Sequence, residues 1–359
     1  MSSRRATIAD VARQAGVSPS TASVVFSGKT PVSDATRARV MDAAASLGYT
    51  GPDPLAASLR RGRTGIVGVL QRGRLGIAFT DPVQRTVMDG LTEAVAAIDA
   101  SLLLLRPLPR AAHADDEHDQ PQRAVDAATL SNVPIDAAVL LGTIPEAAAD
   151  VATLRSRGVP VVVIEGDAGE GVPRIALDNH DAQRCIADHV RRQGHTEVAL
   201  VTLPVDLNIT QERLGGAREV FPDAPALAAL GSSIDEGLRL GREIFAQRSR
   251  RGARPTAVLA QSDLLAAGVI RAAEEAGLTV PGDVSVAGFD GIRVDGLAPY
   301  ELTTMVQPAA DKGRAAGAAI VAMLSGRQPA SVLFTSVFRA GNTTGAPPET
   351  PTPGTRSPR

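Results

Sequence analysis

The sequence predicts an α/β protein with an N-terminal three-helix head, on three observations. The first 50 residues hold three short helical patterns and no strand pattern. Beyond Thr64, apolar runs rich in branched side chains alternate with amphipathic segments, as buried parallel strands and their covering helices do. Charge divides along the same line. Residues 1 to 63 hold nine Arg or Lys against four acids, a net +5 that leaves −7 for the rest of a chain whose total is −2. A basic head on an acidic body fits a nucleic-acid-reading module joined to a different kind of domain.

The head is legible residue by residue. Thr7 caps a helix whose apolar positions Ile8, Val11, Ala12 and Ala15 follow helical spacing, Asp10 completes a capping box, and Gly16 stops it. Ser18 caps a second helix with Pro19 in its first position, where a missing N–H costs nothing. A third is opened by Ser33 and closed by Gly48. Two short helices joined by a tight turn, with a third behind them, make a helix-turn-helix. The second is the recognition candidate: Ala22, Val25 and Phe26 face inward, leaving Ser20, Thr21, Ser23 and Val24 outward. Hydroxyls there suit phosphates or base edges, and Val24 suits a thymine methyl.

The head occupies 1–50. Pro52 and Pro54 break the chain, and a short helical segment with its linker occupies 51–63. The body follows at 64–345. Its strand candidates are Gly65 to Leu70, Ser101 to Leu105, Ala137 to Leu141, Val159 to Ile164, Arg174 to Leu177, Val198 to Leu203, Ala257 to Ala260 and Val284 to Phe289. Its helix candidates are 82–98, 145–157, 180–193, 211–220, 235–248 and 263–276. The Pro- and Thr-rich stretch 346–359 is expected to be a disordered tail.

Several classes are disfavoured. No apolar run approaches the roughly 20 residues of a membrane span, and the basic N-terminus has no apolar region behind it, so a cytoplasmic protein is expected. The single cysteine, Cys185, forms no internal disulfide and is expected to be buried. His113 to Asp119 holds two imidazoles and several acids at no known ligand spacing, so a solvated loop is favoured over a metal site. No Walker loop, three-glycine dinucleotide motif or nucleophile elbow appears; neither catalytic residues nor cofactors are expected. His195 is read as a structural residue between helix and strand.

The run Thr7 to Gly28, then Pro31 to Val40, then Leu47-Gly48-Tyr49, resembles the head of the lactose and galactose repressor family. The likeness continues in Asp178-Asn179, Gly194-His195, Glu212-Arg213-Leu214, Asp263, Val280-Pro281, Gly288-Phe289-Asp290 and Thr303-Thr304. It implies a sequence-specific transcription regulator, a repressor rather than an activator, working as a homodimer on pseudo-palindromic double-stranded operator DNA. The DNA-binding residues expected on it are Thr7, Ser18, Ser20, Thr21, Ser23, Val24, Ser27 and Lys29, with Ala57 and Leu59 on a hinge helix that wedges into the minor groove. Val24 stands where relatives often carry a long polar side chain, so operator reading through methyl contacts and DNA shape is expected.

The same resemblance implies a two-lobed body like periplasmic binding proteins, with lobe one at 64–177 plus 308–335 and lobe two at 178–307 plus 336–345. An effector, a sugar or a nucleoside-like metabolite, would lie between the lobes, beyond the carboxyl ends of the strands. Phe79, Asp81, Thr143, Arg213, Ser262, Asp290 and Gln307 are its candidate contacts. Arg213 has the alternative of a helix-surface ion pair, and Asp290 that of capping the turn before Gly291. Asp263 is read as the cap of the helix it opens. Scarce aromatics weaken a sugar assignment and leave Phe79 as the best platform. The competing reading of the whole chain is a solute-binding protein of a transporter, whose body would look alike.

Overall fold

The computed structural model describes residues 6–28, 30–51, 62–71, 79–105, 127–142, 147–166, 169–205, 207–246 and 254–349. They divide into two compact units, one ending at Gly65 and one beginning at Ile66.

The first unit is three helices, α1 (Ile8–Ala15), α2 (Pro19–Ser27) and α3 (Asp34–Ser46). Local chemistry sets their ends. Thr7 and Asp10 form the expected capping box, with Asp10 Oδ2 accepting from the Thr7 N–H at 3.0 Å. Ser18 Oγ accepts from the Thr21 N–H at 3.1 Å, and Gly16 and Gly28 close α1 and α2 in the left-handed conformation. Val11, Ala12, Ala22, Val25, Val40 and Ala44 make the core, which Phe26 finishes edge-on against Tyr49 at 5.3 Å.

The second unit holds two parallel sheets. The larger runs β11-β5-β4-β3-β1-β2, from β1 (Ile66–Gln71), β2 (Ser101–Leu105), β3 (Ala137–Leu141), β4 (Val161–Ile164), β5 (Arg174–Leu177) and β11 (Val332–Phe334). The smaller runs β7-β6-β8-β9, from β6 (Val198–Thr202), β7 (Ala226–Ala228), β8 (Ala257–Ala260) and β9 (Ser285–Ala287). An antiparallel ribbon pairs β10 (Thr304–Val306) with β12 (Val337–Arg339). The chain thus passes from one sheet to the other after β5, returns through Gln307 and Pro308, and crosses again between β11 and β12.

Helices cover both sheets: α4 (Pro82–Ala96), α5 (Ala127–Asn132), α6 (Ala147–Ser156), α7 (Asn179–Arg192), α8 (Asn208–Val220), α9 (Ile234–Ala246), α10 (Asp263–Glu275) and α11 (Ala309–Leu324). Helix α11 has no counterpart among the sequence-predicted helices. Its buried residues include Ala309, Gly313, Ala316, Gly317 and Ala319, too small to draw an apolar stripe, and Pro308 supplies no side-chain cap. The first turn of α8 was likewise missed, because Leu207 offers no capping oxygen. Tertiary bonds hold it instead: Thr210 Oγ1 donates to the Pro204 carbonyl at 2.7 Å and Gln211 Nε2 to that of Val205 at 2.8 Å. Strands β7, β10, β11 and β12 are three residues each, too short to show alternation.

Two further expectations are corrected. Cys185 is half-buried rather than buried, lying at the edge of the core around Ile186 and Val190. Residues 346–349, assigned to the disordered tail, have a described course, with Pro347 Cδ 3.5 Å from where a Cβ on Gly194 would sit. His195 is structural, as read. It is fully buried, with Nδ1 2.8 Å from Thr256 Oγ1 and Nε2 2.8 Å from the Gly345 carbonyl.

The helices pack in close pairs because glycines let their backbones meet. A Cβ on Gly90 of α4 would lie 2.1 Å from the Ala310 carbonyl oxygen of α11, and one on Gly313 would lie 2.0 Å from that of Val87. Gly90→Ala should therefore destabilise the protein by about 1–3 kcal/mol, the range for overpacking, although alanine is the better helix former by about 1 kcal/mol. Urea denaturation checks this; an unchanged midpoint would mean that α4 and α11 do not approach so closely.

Candidate effector cleft and DNA-reading head

A cavity of about 230 Å³ opens where strands of both sheets end. Gln71, Leu141 and Ile164 reach it from β1, β3 and β4; Leu203, Asn208 and Ser262 reach it from the smaller sheet's side. This is the carboxyl edge, where the loops of an open α/β sheet converge. Its walls are aliphatic, with Val83, Val87, Leu207 and Leu230 among them, and none of the described residues lining it is aromatic.

The polar groups are concentrated and buried. Arg213 of α8 is 3% exposed, which excludes a surface ion pair. Its guanidinium stacks 3.6 Å from the Phe289 ring centroid, Nε donates to Asn179 Oδ1 at 2.9 Å, and Nη1 donates to the Gln261 carbonyl at 2.6 Å. No described residue takes a bond from Nη2. Burial lowers the pKa of Arg213, opposed by the charges of Asp290, Glu165, Glu212 and Asp81.

Asp290, 3.9 Å from Arg213 Nη1, accepts from Gln307 Nε2 at 2.6 Å. Its pKa is raised well above the usual carboxylate value by burial, against the pull of Arg213. It does not cap the turn at Gly291, whose N–H goes to Thr304 Oγ1 at 3.3 Å. Asp81 lines the cavity while capping α4, accepting from the N–H groups of Val83 at 2.8 Å and Gln84 at 3.2 Å; burial raises its pKa too.

Of the other sequence candidates, Ser262 and Gln307 line the cavity. Phe79 is 60% exposed and is not among the lining residues, so the one aromatic platform expected from sequence does not reach the cavity. Thr143, like the His113 to Asp119 run, lies outside the described residues.

The cap of α10 is Ser262, not Asp263: Ser262 has extended backbone and accepts from the Leu265 N–H at 3.2 Å. Asp263, fully buried, instead ties α10 to the loop before β10. It accepts from Thr304 Oγ1 at 2.7 Å and from the Ile292 N–H at 2.8 Å.

Three residues of this site were not among the candidate contacts, although Glu165 follows a strand candidate at the edge where ligands are expected. Lys312 of α11, 2% exposed, donates through Nζ to Glu165 Oε1 at 2.6 Å and to Gln307 Oε1. Glu165 Oε2 accepts from Asn179 Nδ2 at 3.0 Å. Asn179 belongs to a motif that the family resemblance does mark, and that motif was the available signal. Lys312 lies on the helix that composition concealed.

In the head, Thr7, Ser18, Ser20 and Ser27 are exposed, and Thr21, Ser23 and Val24 are partly buried on the outer side of α2. Several hydroxyls already have partners: Thr7 Oγ1 donates to Asp10 Oδ2 at 2.7 Å, Ser27 Oγ to the Val24 carbonyl at 3.1 Å, and Ser18 Oγ lies 2.8 Å from that of Ser20. Lys29, Ala57 and Leu59 fall outside the described residues. No helix among the described residues is long and apolar enough to cross a membrane.

A helix-turn-helix unit joined to a body of two parallel sheets around a polar cleft defines the class: a DNA-binding regulator with a periplasmic-binding-protein-like body. Residues 7–51 match bacterial regulatory proteins of the lacI family, and residues 187–340 match the periplasmic binding protein-like domain. The chain is 30% identical over 364 residues to the HTH-type transcriptional regulator IpsA of Corynebacterium glutamicum, covering 94% of this chain and 97% of that one. It is 30% identical over 320 residues to the ribose operon repressor of Escherichia coli K12, covering 87% and 91%. The lac repressor dimer bound to operator and the anti-inducer ONPF shares its fold, with a TM-score of 0.77 at 22% identity over 96% of this chain and all of that one.

The chain belongs to the lacI family of bacterial transcription regulators. The transporter reading falls with this, since the matched relatives are DNA-binding regulators along nearly their whole length.

Burial pushes the Asp263 pKa from 3.8 up to about 7. Between those values the folded protein keeps a proton that the unfolded chain releases, so the contribution of Asp263 to stability falls as pH rises and levels off above about 7. Asp263→Asn should remove that slope, gaining on the unaltered protein from pH 4 to pH 7. Parallel profiles in urea denaturation at several pH values would show that Asp263 is ionised in the folded state.

Proposed function

We propose that this chain is a dimeric repressor acting in the cytoplasm, whose head reads a pseudo-palindromic operator and whose cleft binds a small polyhydroxylated effector. The observation that carries the effector half is Arg213: a buried guanidinium on the cavity wall, stacked and half-bonded, with Nη2 uncommitted. Such an arm takes a ligand oxygen directly. Asp290, whose Oδ1 alone accepts from Gln307, stands ready to accept from a ligand hydroxyl. The lack of an aromatic among the described lining residues tells more against a nucleoside-like molecule than against a sugar, because a flat base relies on stacking while a sugar's hydroxyls can be held by Arg213 and Asp290.

Two copies would pair their bodies and present two α2 helices to successive half-sites, with Ser20, Thr21, Ser23 and Val24 at the bases and Ser18 and Ser27 toward phosphates. Leu59 would wedge between base steps at the dyad. Closing the cleft on effector would change the spacing of the two hinges, so each ligand alters the affinity for the other by the same factor. A dimer on its operator blocks polymerase with no further contact, which favours repression.

Selection from random duplex DNA by the full-length protein tests the operator half. A two-fold symmetric motif is expected, and Leu59→Ala should bind it about tenfold or more weakly, the cost of withdrawing one buried leucine. A motif without symmetry would overturn the dimeric reading. For the effector half, thermal melting against a panel of monosaccharides and polyols should show a stabilising ligand, and Arg213→Met should lose that shift while still melting cooperatively. A variant that still responds would remove Arg213 from the site.

A further inference from the structure

We propose that Lys312 is a positioning residue that sets how the two lobes of the body stand to one another around the cleft. The observation is a closed ring of side chains. Lys312 Nζ donates to Glu165 Oε1, Glu165 Oε2 accepts from Asn179, and Asn179 Oδ1 accepts from Arg213 Nε. Arg213 Nη1 lies 3.9 Å from Asp290 Oδ1, Asp290 accepts from Gln307 Nε2, and Gln307 Oε1 accepts from Lys312 Nζ.

The ring takes members from both sides of the cleft and from the passages between them. Glu165 ends β4 and Lys312 lies on α11, both packed on the larger sheet. Arg213 lies on α8 beside the smaller sheet. Asn179 follows the first passage and Gln307 forms the second. Two of its links, Asn179 to Glu165 and Gln307 to Asp290, join one side of the cleft to the other, so rotation of one lobe on the other strains them.

Two features show that the ring has a cost. Lys312 is a charge at 2% exposure on a helix whose other buried residues include Ala309, Gly313, Ala316 and Ile320, and a buried ion pair is weak as a source of stability. Glu165 holds φ 55, the left-handed region that a glutamate enters at a penalty, and from there its carboxylate meets both Lys312 and Asn179. An apolar residue at 312 would fill the space without burying a cation, but it would leave Glu165 and Gln307 unjoined. The ammonium has three donors, of which Glu165 and Gln307 take two. Lys312 also lines the cavity.

The proposal rests on the effector-cleft reading for its biological consequence, but its test needs neither effector nor operator. Full-length protein carrying Cys185→Ala is spin-labelled at Ala152→Cys on α6 and Asp235→Cys on α9, both exposed positions. It is diluted with unlabelled protein so that only distances within one chain are read by pulsed dipolar spectroscopy. One narrow inter-lobe distance is expected, and Lys312→Met should broaden it. Lys312→Met also strands the Glu165 charge, so Glu165→Gln with Lys312→Met is measured alongside. That pair should recover the lost melting temperature while the distance stays broad. An unchanged narrow distance in either variant overturns the proposal, because Lys312 would then only neutralise Glu165. A failure to select an operator, with these distances behaving as expected, would sink the regulator reading and leave the ring intact.

Discussion

Taking a cation out of water is among the most expensive things a fold does, and this body does it twice at one place. Arg213 and Lys312 lie within one network at 3% and 2% exposure. Neither is tolerable without partners, and the partners come from distant parts of the chain: Glu165 from the end of β4, Asn179 from the start of α7, Asp290 and Gln307 from either side of β10. The two sheets must therefore meet where these residues can meet. The polar cleft and the crossing points of the chain are where that requirement is met.

Around that point the packing divides into stiff and yielding parts. The pairs α4–α11, α7–α8 and α9–α10 bring backbone against backbone through Gly90, Gly313, Gly216, Gly237 and Gly268, where added Cβ atoms would stand 2.0–2.2 Å from opposing carbonyl oxygens. Packing this close leaves little room for one helix of a pair to slide on the other. The passages between the sheets carry the polar ring instead, and hydrogen bonds can exchange partners where interdigitated side chains cannot. A cleft that answers a ligand needs this division: rigid lobes, and a joint made of exchangeable bonds.

The head follows a different economy. Its core is small, built from Val, Ala and one Phe–Tyr pair, and its helix ends are secured by side-chain hydroxyls and left-handed glycines. The hydroxyls that cap α1 and α2, those of Thr7 and Ser18, stay exposed, so under the proposed function one residue type would serve local stability and recognition together. Ser18 caps α2 through its oxygen and remains exposed.

How much of this was written in the sequence depends on the range of the interaction. Thr7, Gly16, Ser18 and Ser33 act within four residues of themselves, and so the head's three helices could be read directly. Long apolar runs such as Ala137–Leu141 act through composition, and so the alternating body could be read as well. The family motifs carried Arg213 and Asp290 to the cleft, and the rule that ligands sit beyond strand ends carried Gln307 there, while Phe79, named by the same rule and favoured as the aromatic platform, lies outside it. The tertiary structure alone decided what depends on an opposing surface: helix α11, whose small residues show no stripe until α4 lies against them; the exchange of roles between Ser262 and Asp263, which hangs on Thr304 and Ile292; and the place of Lys312. A lysine in an alanine- and glycine-rich segment is ordinary until Glu165, 147 positions earlier, is brought within 2.6 Å of it, because a buried charge is defined by its partners and those partners are distant in the chain.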